Sequence, residues 1–379
     1  MLSLTIDAAT LLAPLAATTR FAAKPNSGHP IRDCILLTAG SSGITLHASD
    51  SALGFTSSEI PAVVKAAGTI CVPAVTFLAA VKAIGTGAIT LQESDANRMI
   101  VRGPGITYTI HGMPATDYPM RSPVAETTGL TFASADLTTV FEVVGPNIPP
   151  DDNRYGLNGV AVELSEGQAR FVATDGNRLA WAGASSEGSM DFPAKSLISR
   201  VGVAALANLL PVAGPRVTFA SSGKYLEVRT DAGTMHAQFI GSEFPDYRQV
   251  MPDRFQTTIV ANRIDLLRAV DRVLPFAGGT IPEVLLELPD NDGEAELTMT
   301  TRKLDSGDSL VTLAVNASGP AIKLCLNGKY LRDVLITMEC DEVLIAISGA
   351  LSPAILVPKG SPPGPRAARL NIVMPVRVS

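Results

Sequence analysis

The sequence predicts an α+β protein built from three copies of one domain plan, each copy with two helices packed on antiparallel sheet. Three observations carry this reading. A strand running into a capped amphipathic helix occurs near residues 3, 130 and 257. Strands ending in Asp and later turns carrying Tyr recur in the same order after the first two openings. A second helix, led by Pro or Asn, follows in every copy. Repetition of this kind at domain length is the first thing to seek in a long chain.

The openings come first. "LSLTIDAATLLAPL" alternates for a few residues and then shifts to helical spacing, with Asp7 placed to cap the helix. "LTFASADLTTVFEVV", with Ser134, and "TTIVANRIDLLRAVDRVL", with Asn262, repeat it. Thr5, Thr131 and Thr258 hold equivalent places, 126 and 127 residues apart. In the last helix Ile264, Leu267, Val270 and Leu274 form one stripe, while Arg268 and Arg272 share another face.

The turns and second helices keep the same period. "LHASD" and "FVATD" end at Asp50 and Asp175, 125 apart, and Tyr118 of "ATDYP" precedes Tyr247 of "FPDYRQVMP" by 129. The second helices are "VPAVTFLAAVKAI" from Pro73, "FPAKSLISRVGVAAL" from Pro193 and "LNGKYLRDVLITM" from Asn327. Domains of 1–126, 127–253 and 254–379 follow, each of ordinary single-domain size. "VPKGSPPGPRAAR", from Val357 to Arg369, reads as an exposed loop.

One hairpin needs closer reading. "RFVATDGNRLAWAG" is two alternating strands joined at Asp175-Gly176, a pair suited to a tight turn in which both central residues take positive φ. Its tip gathers Thr174, Asp175, Asn177 and Arg178. Two readings stand: a polar turn, or a site.

Composition limits the rest. With 46% apolar and 17% charged residues the chain is globular in type, and no apolar run reaches the length of a membrane helix. The N-terminus has no basic segment followed by a hydrophobic block, so a soluble cytoplasmic protein is expected. Cys34, Cys71, Cys325 and Cys340 have no metal-ligand or redox spacing, and His29, His47, His111 and His236 stand apart from one another. No nucleophile elbow or phosphate loop is present; "SSGKY" lacks the required spacing. Nothing groups into a catalytic set, and no cofactor or metal is implied.

A net charge of −6 argues against coating nucleic acid by bulk attraction. Yet Lys82, Lys195, Arg200, Arg268, Arg272, Lys329 and Arg332 all fall on expected helices, while acids concentrate in strands and loops. These cations form either solvated helix faces or a positive wall.

"RYGLNGVAVEL", "VATDGNRLA", "EFPDYRQVMP" and the final "VMPVRV", in this order and at these distances, resemble the β subunit of bacterial DNA polymerase III, the DNA sliding clamps. The resemblance covers the whole chain. It implies three clamp domains and a head-to-tail homodimer forming a six-domain ring, with helices lining the hole. Domains of this length are roughly 35 Å across, so six in a ring leave a hole of about the same width, and three leave almost none. The implied function is a non-catalytic processivity factor that encircles duplex DNA without reading its sequence. It would tether polymerase subunits, the clamp loader and repair proteins through short peptides.

The resemblance assigns residues. The peptide cleft would use Leu157, Thr174, Gly176, Asn177, Arg178, Leu179, Pro245, Val250, Pro353, Ile372, Met374, Pro375, Val376 and Arg377. DNA would face Lys24, Arg154 and Tyr155 together with the helix cations. Tyr108 and Ile110 of an edge strand, with Val273 and Leu274, would form the dimer contact. The chain departs from the family pattern at Asn177, where His is frequent, at Val75, where a base is common, and in the acidic "PPDDN" before Arg154. A clamp paralogue serving a specialised polymerase, or resisting a clamp inhibitor, is the alternative, and an enzyme with an ungrouped site is the more distant one.

Overall fold

The computed structural model describes the chain except for residues 26–27, 95–96, 121–128, 151–153, 191, 194–195, 222, 253, 304–306, 364–366 and 377–379. The acidic stretch 151–153 and both expected domain junctions, at Thr127 and Asp253, lie outside the described residues. Six α-helices are described: α1 (Ala8–Thr19), α2 (Ala74–Ile84), α3 (Ser134–Val144), α4 (Arg200–Leu209), α5 (Arg263–Val273) and α6 (Gly328–Thr337).

Capping side chains set where the strands give way to helix. Asp7 accepts from the N–H groups of Ala9 and Thr10, Asn262 from Ile264 and Asp265, and Asn327 from Lys329 and Tyr330. Each satisfies donors that the first helical turn leaves without partners. Ser134 differs from expectation: it is the first residue of α3 rather than its cap, and its hydroxyl donates to the Gly214 carbonyl. The helix expected from Pro193 begins only at Arg200, because Ser196–Ser199 is a strand that pairs with Gly159–Ala161. The strand Gly68–Pro73 before α2 and the strand Ile322–Asn327 before α6 show the same plan.

The chain groups into two compact units, Met1–Leu137 with Ser186–Ala194 and Val201–Phe239, and Thr138–Ser185 with Lys195–Arg200 and Ile240–Ser379. The middle copy contributes to both. In the first unit a five-stranded antiparallel sheet runs in the order Ile106–His111, Arg98–Gly103, Ala88–Ser94, Ser3–Asp7, Val63–Ala66. A second sheet there joins the copies, since Gly233–Gly241 pairs with Leu53–Ser57, Gly233 lying opposite Ser57.

In the second unit one antiparallel sheet passes through both copies. From Gly159–Ser165 it runs through Gln168–Thr174 and Arg178–Ser185 to Arg369–Val373, then Ala354–Pro358, Glu342–Ile347, Thr257–Asn262 and Gly307–Gly319. The step between copies is Arg178–Ala182 against Val373–Arg369. In both units, then, the final strand of one copy completes the sheet of the copy before it.

α5 and α6 pack together over the C-terminal core through Leu266, Val270, Leu331 and Leu335, all fully buried. The buried stripe of α5 is Leu266, Ala269, Val270 and Val273, not the expected Ile264, Leu267, Val270 and Leu274. Ile264 is exposed, and Leu267 and Leu274 are only partly buried. The helix meets the sheet one position further round than the sequence spacing implies.

A second apolar cluster surrounds Trp181, the single tryptophan, whose indole N–H donates to the Ala367 carbonyl at 3.0 Å. This corrects the reading of 357–369 as an exposed loop throughout. Val357 belongs to the strand Ala354–Pro358, and Ala367 is buried. Because Trp181 lies in the second unit, its fluorescence follows unfolding there. Replacing the α5 cap, Asn262→Ala, is expected to destabilise that transition by about 1 kcal/mol in a denaturant titration.

Candidate binding cleft

A cleft of about 630 Å³ lies in the second unit, between the tip of the hairpin Gln168–Ser185, the segment Glu243–Val250 and the strand end at Ile372–Met374. The tip is held by its own side chains. Asp175 Oδ1 accepts from the N–H groups of Asn177 (2.9 Å) and Arg178 (3.0 Å). The Thr174 hydroxyl donates to the Arg178 carbonyl at 2.6 Å and accepts from Gly176 N–H at 3.1 Å. Only Gly176 takes positive φ, at +89°, so the expected turn with positive φ at Asp175 as well does not form. The Asp175 carboxylate reinforces the turn, which is closed by Asp175 N–H donating to the Arg178 carbonyl at 3.3 Å.

Conformation is what favours Gly176; an added side chain would only have to displace the end of the exposed Arg154 side chain. A Cβ there would sit 2.8 Å from Nη1 of Arg154, whose Nη2 donates to the Asp175 carbonyl at 3.1 Å. Arg178 lies under the tip. Its Nε reaches Asp175 Oδ2 at 3.0 Å, Nη1 reaches Asp333 Oδ2 at 2.7 Å, and Nη2 donates to the Pro146 carbonyl. The guanidinium also covers the Tyr330 ring, 4.2 Å from its centroid. Burial pushes the Tyr330 phenol above its ordinary pKa, and the neighbouring Asp175 carboxylate adds to the shift.

The other walls are apolar. Leu157, Leu179 and Ile372 are buried at the cleft floor, Met374 is half-buried, and Val250 is exposed at the rim. Tyr247 closes one end, with its hydroxyl donating to Glu163 at 3.0 Å. Burial raises its pKa too. The Asn177 carbonyl accepts from Met374 N–H at 2.9 Å, which ties the tip to the C-terminal wall.

The structure thus brings Leu157, Thr174, Gly176, Arg178, Leu179, Pro245, Val250, Ile372 and Met374 into one cleft. Asn177 is exposed at the tip, outside the lining. Pro375 bridges to Leu326, and Val376 N–H donates to the Cys325 carbonyl, so both anchor the wall from behind. Pro353 is half-buried before the strand Ala354–Pro358, also away from the lining. Arg377 lies outside the described residues. Arg154, expected to face DNA, is exposed and also lines this cleft. Gly156, Glu243, Phe244, Asp246 and Tyr247 line it without having been expected; the aromatic pair flanking Pro245 was the available signal.

Of the expected DNA-facing residues, Lys24, Lys82, Arg200, Arg268, Arg272 and Lys329 are exposed. Lys195 and the side chain of Tyr155 lie outside the described residues. Arg200 donates to the Pro150 carbonyl, Arg268 pairs with Asp265 and Arg332 with Asp271. The helices are therefore less purely basic than expected, with seven lysines and arginines against five acids over all six.

Tyr108 and Ile110 lie on Ile106–His111, an edge strand, as expected, and Ile110 is buried. Val273 cannot offer a contact to a partner: it is fully buried in its own core, while Leu274 is partly buried. Among the described residues no group of three or more His, Cys, Asp or Glu could hold a metal ion, and no helix is long and apolar enough to cross a membrane.

Family models of the DNA polymerase III beta subunit match along the chain: the N-terminal domain over residues 2–122, the central domain over 132–246 and the C-terminal domain over 248–365. The beta sliding clamp of Caulobacter vibrioides is 27% identical over the full length of both chains. That of Vibrio cholerae is 27% identical over 82% of each. The crystal structure of the Pseudomonas aeruginosa DNA polymerase III subunit beta superposes with a TM-score of 0.89 over 99% of this chain and 100% of that one, at 21% identity. The chain belongs to the DNA polymerase III beta subunit family and is a DNA sliding clamp that acts in replicative processivity.

Proposed function

We propose that two copies of this chain close head to tail around duplex DNA. The ring would be non-catalytic and cytoplasmic, with three clamp domains per chain at 1–126, 127–253 and 254–379. The observation that carries this is the sharing of strands between copies. The last strand of the second copy pairs with the first copy's Leu53–Ser57, and that of the third with the second copy's Arg178–Ser185. By the same rule the first copy's last strand, Ile106–His111, lacks a preceding copy, and the third copy's Gly307–Gly319 lacks a following one. Only residues 316–318 of that strand meet Thr258–Val260, which leaves its N-terminal half as an outer edge. Two unmatched edges of opposite kind on one chain favour pairing with a second copy, and exposed strand edges need cover.

Apolar residues stand beside the C-terminal edge, with Leu310 65% exposed and Phe276 40% exposed. Leu310→Asp is expected to weaken dimerisation at least tenfold while leaving the monomer folded, as read by sedimentation velocity. A dimer of unchanged strength would count against this edge.

DNA contact would be electrostatic and independent of sequence, through Lys24, Lys82, Arg200, Arg268, Arg272, Lys329 and Arg332. Arg272 is exposed on α5. Arg272→Ala should lower the salt-dependence slope of DNA binding by about one, with the same effect on any duplex sequence. The modest helix charge, with Val75 55% exposed at the start of α2, favours a second reading in which the ring serves a specialised polymerase.

The cleft would take short peptides with apolar anchors from polymerase subunits, the clamp loader and repair proteins. Its floor of Leu157, Leu179 and Ile372 suits such anchors, and Met374 can adapt to several of them. A labelled Gln-Leu-x-Leu-Phe peptide is expected to bind. The double change Met374→Ala and Pro375→Ala should abolish binding at micromolar protein by removing the wall and its anchor. Equal binding by both proteins would place the peptide elsewhere.

A further inference from the structure

The cleft contains an arginine each of whose three nitrogens already makes a hydrogen bond. Arg178 lines the cleft, yet its guanidinium reaches Asp175, Asp333 and the Pro146 carbonyl and lies over the Tyr330 ring. Its side chain is only 12% exposed. A planar fork with all three nitrogens engaged and one face on a ring works as a brace. Two of the groups that hold it, Tyr330 and Asp333, lie on one face of α6, three residues apart, and neither lines the cleft. Contacts then run onward without a gap. Arg178 bonds Asp175, Asp175 fixes the N–H groups of Asn177 and Arg178, and the Asn177 carbonyl accepts from Met374 N–H in the opposite wall.

We infer that Asp333, with Tyr330 beside it, is a positioning residue for the cleft. From α6 it holds Arg178, and through Arg178 it sets the spacing between the hairpin tip and the Met374 wall. It thereby tunes affinity for an apolar-anchored peptide that it does not touch. This rests on the cleft being the peptide site. The effect is moderate, because the Asp333 side chain is 40% exposed and its pair with Arg178 is partly screened.

The test is a titration of the labelled Gln-Leu-x-Leu-Phe peptide against the full dimer. Asp333→Asn should weaken binding roughly fivefold, with unfolding temperature and dimerisation unchanged. Asp333→Glu, which keeps the charge, should recover most of that loss. In an Arg178→Ala background, Asp333→Asn should add less than about a twofold effect, since the path through Arg178 is already cut. Undiminished affinity in Asp333→Asn, or the same fivefold loss in the Arg178→Ala background, would overturn the inference. Should Arg178→Ala fail to fold, amide hydrogen exchange at Asn177 and Arg178 decides the matter. Those amides should exchange faster in Asp333→Asn, and unchanged rates would overturn the proposal. Absence of binding by the unaltered protein is a different result: it rejects the peptide reading of the cleft, and the inference with it.

Discussion

The structure depends on backbone pairing between copies of the repeat. A sheet that ends in an open strand presents a row of unsatisfied N–H and C=O groups, and each copy here leaves such an edge. The next copy covers it: Gly233–Ala237 lies along Leu53–Ser57, and Arg369–Val373 along Arg178–Ala182. These ladders are antiparallel and in register without interruption, so they fix translation and rotation together. Side-chain packing alone would leave more freedom, because hydrophobic contact is non-directional.

The cleft is a by-product of that pairing. Where Arg178 lies opposite Val373, the hairpin tip projects beyond the last paired residue of the C-terminal strand. Met374 then follows the tip rather than the ladder, through its N–H bond to the Asn177 carbonyl. A concave space opens between a tip that turns back and a strand that ends, and Leu179 and Ile372, paired across the seam, floor it together with Leu157. This explains why the cleft residues come from distant parts of the sequence. It also explains why Pro375 and Val376 matter although they do not line the cleft: their contacts with Leu326 and the Cys325 carbonyl hold the strand end in place.

Much of this was legible in the sequence, and the misses have physical causes. Caps at Asp7 and Asn262 were readable because a side-chain acceptor before a helix does a local job. The start of α4 was misread since Ser196–Ser199 is a strand only by virtue of its partner Gly159–Ala161, a tertiary fact that outweighs local propensity. Val273 was placed at the dimer contact by resemblance, whereas the angle at which α5 meets the sheet turns it into its own core. Arg154 was given to DNA by resemblance, and its place in the cleft lining was not foreseen. Its position against Gly176 depends on a contact between loops that no spacing rule encodes.

The charge distribution makes sense once retention is separated from affinity. Four of the helix cations are spoken for within the second unit: Arg200 donates to the Pro150 carbonyl, Arg263 to the carbonyls of Cys340 and Leu335, Arg268 pairs with Asp265, and Arg332 with Asp271. A protein that had to hold DNA by attraction would need many unpaired phosphate contacts, because each neutralised phosphate adds only one step to a steeply salt-dependent term. In the ring proposed above, escape requires an interface to open, so retention is set by strand pairing and apolar contact at that interface. Phosphate attraction is then left with a smaller task, to centre the duplex without arresting it. A few exposed cations such as Lys82, Arg272 and Lys329 are suited to that task, whereas a dense positive wall would oppose sliding.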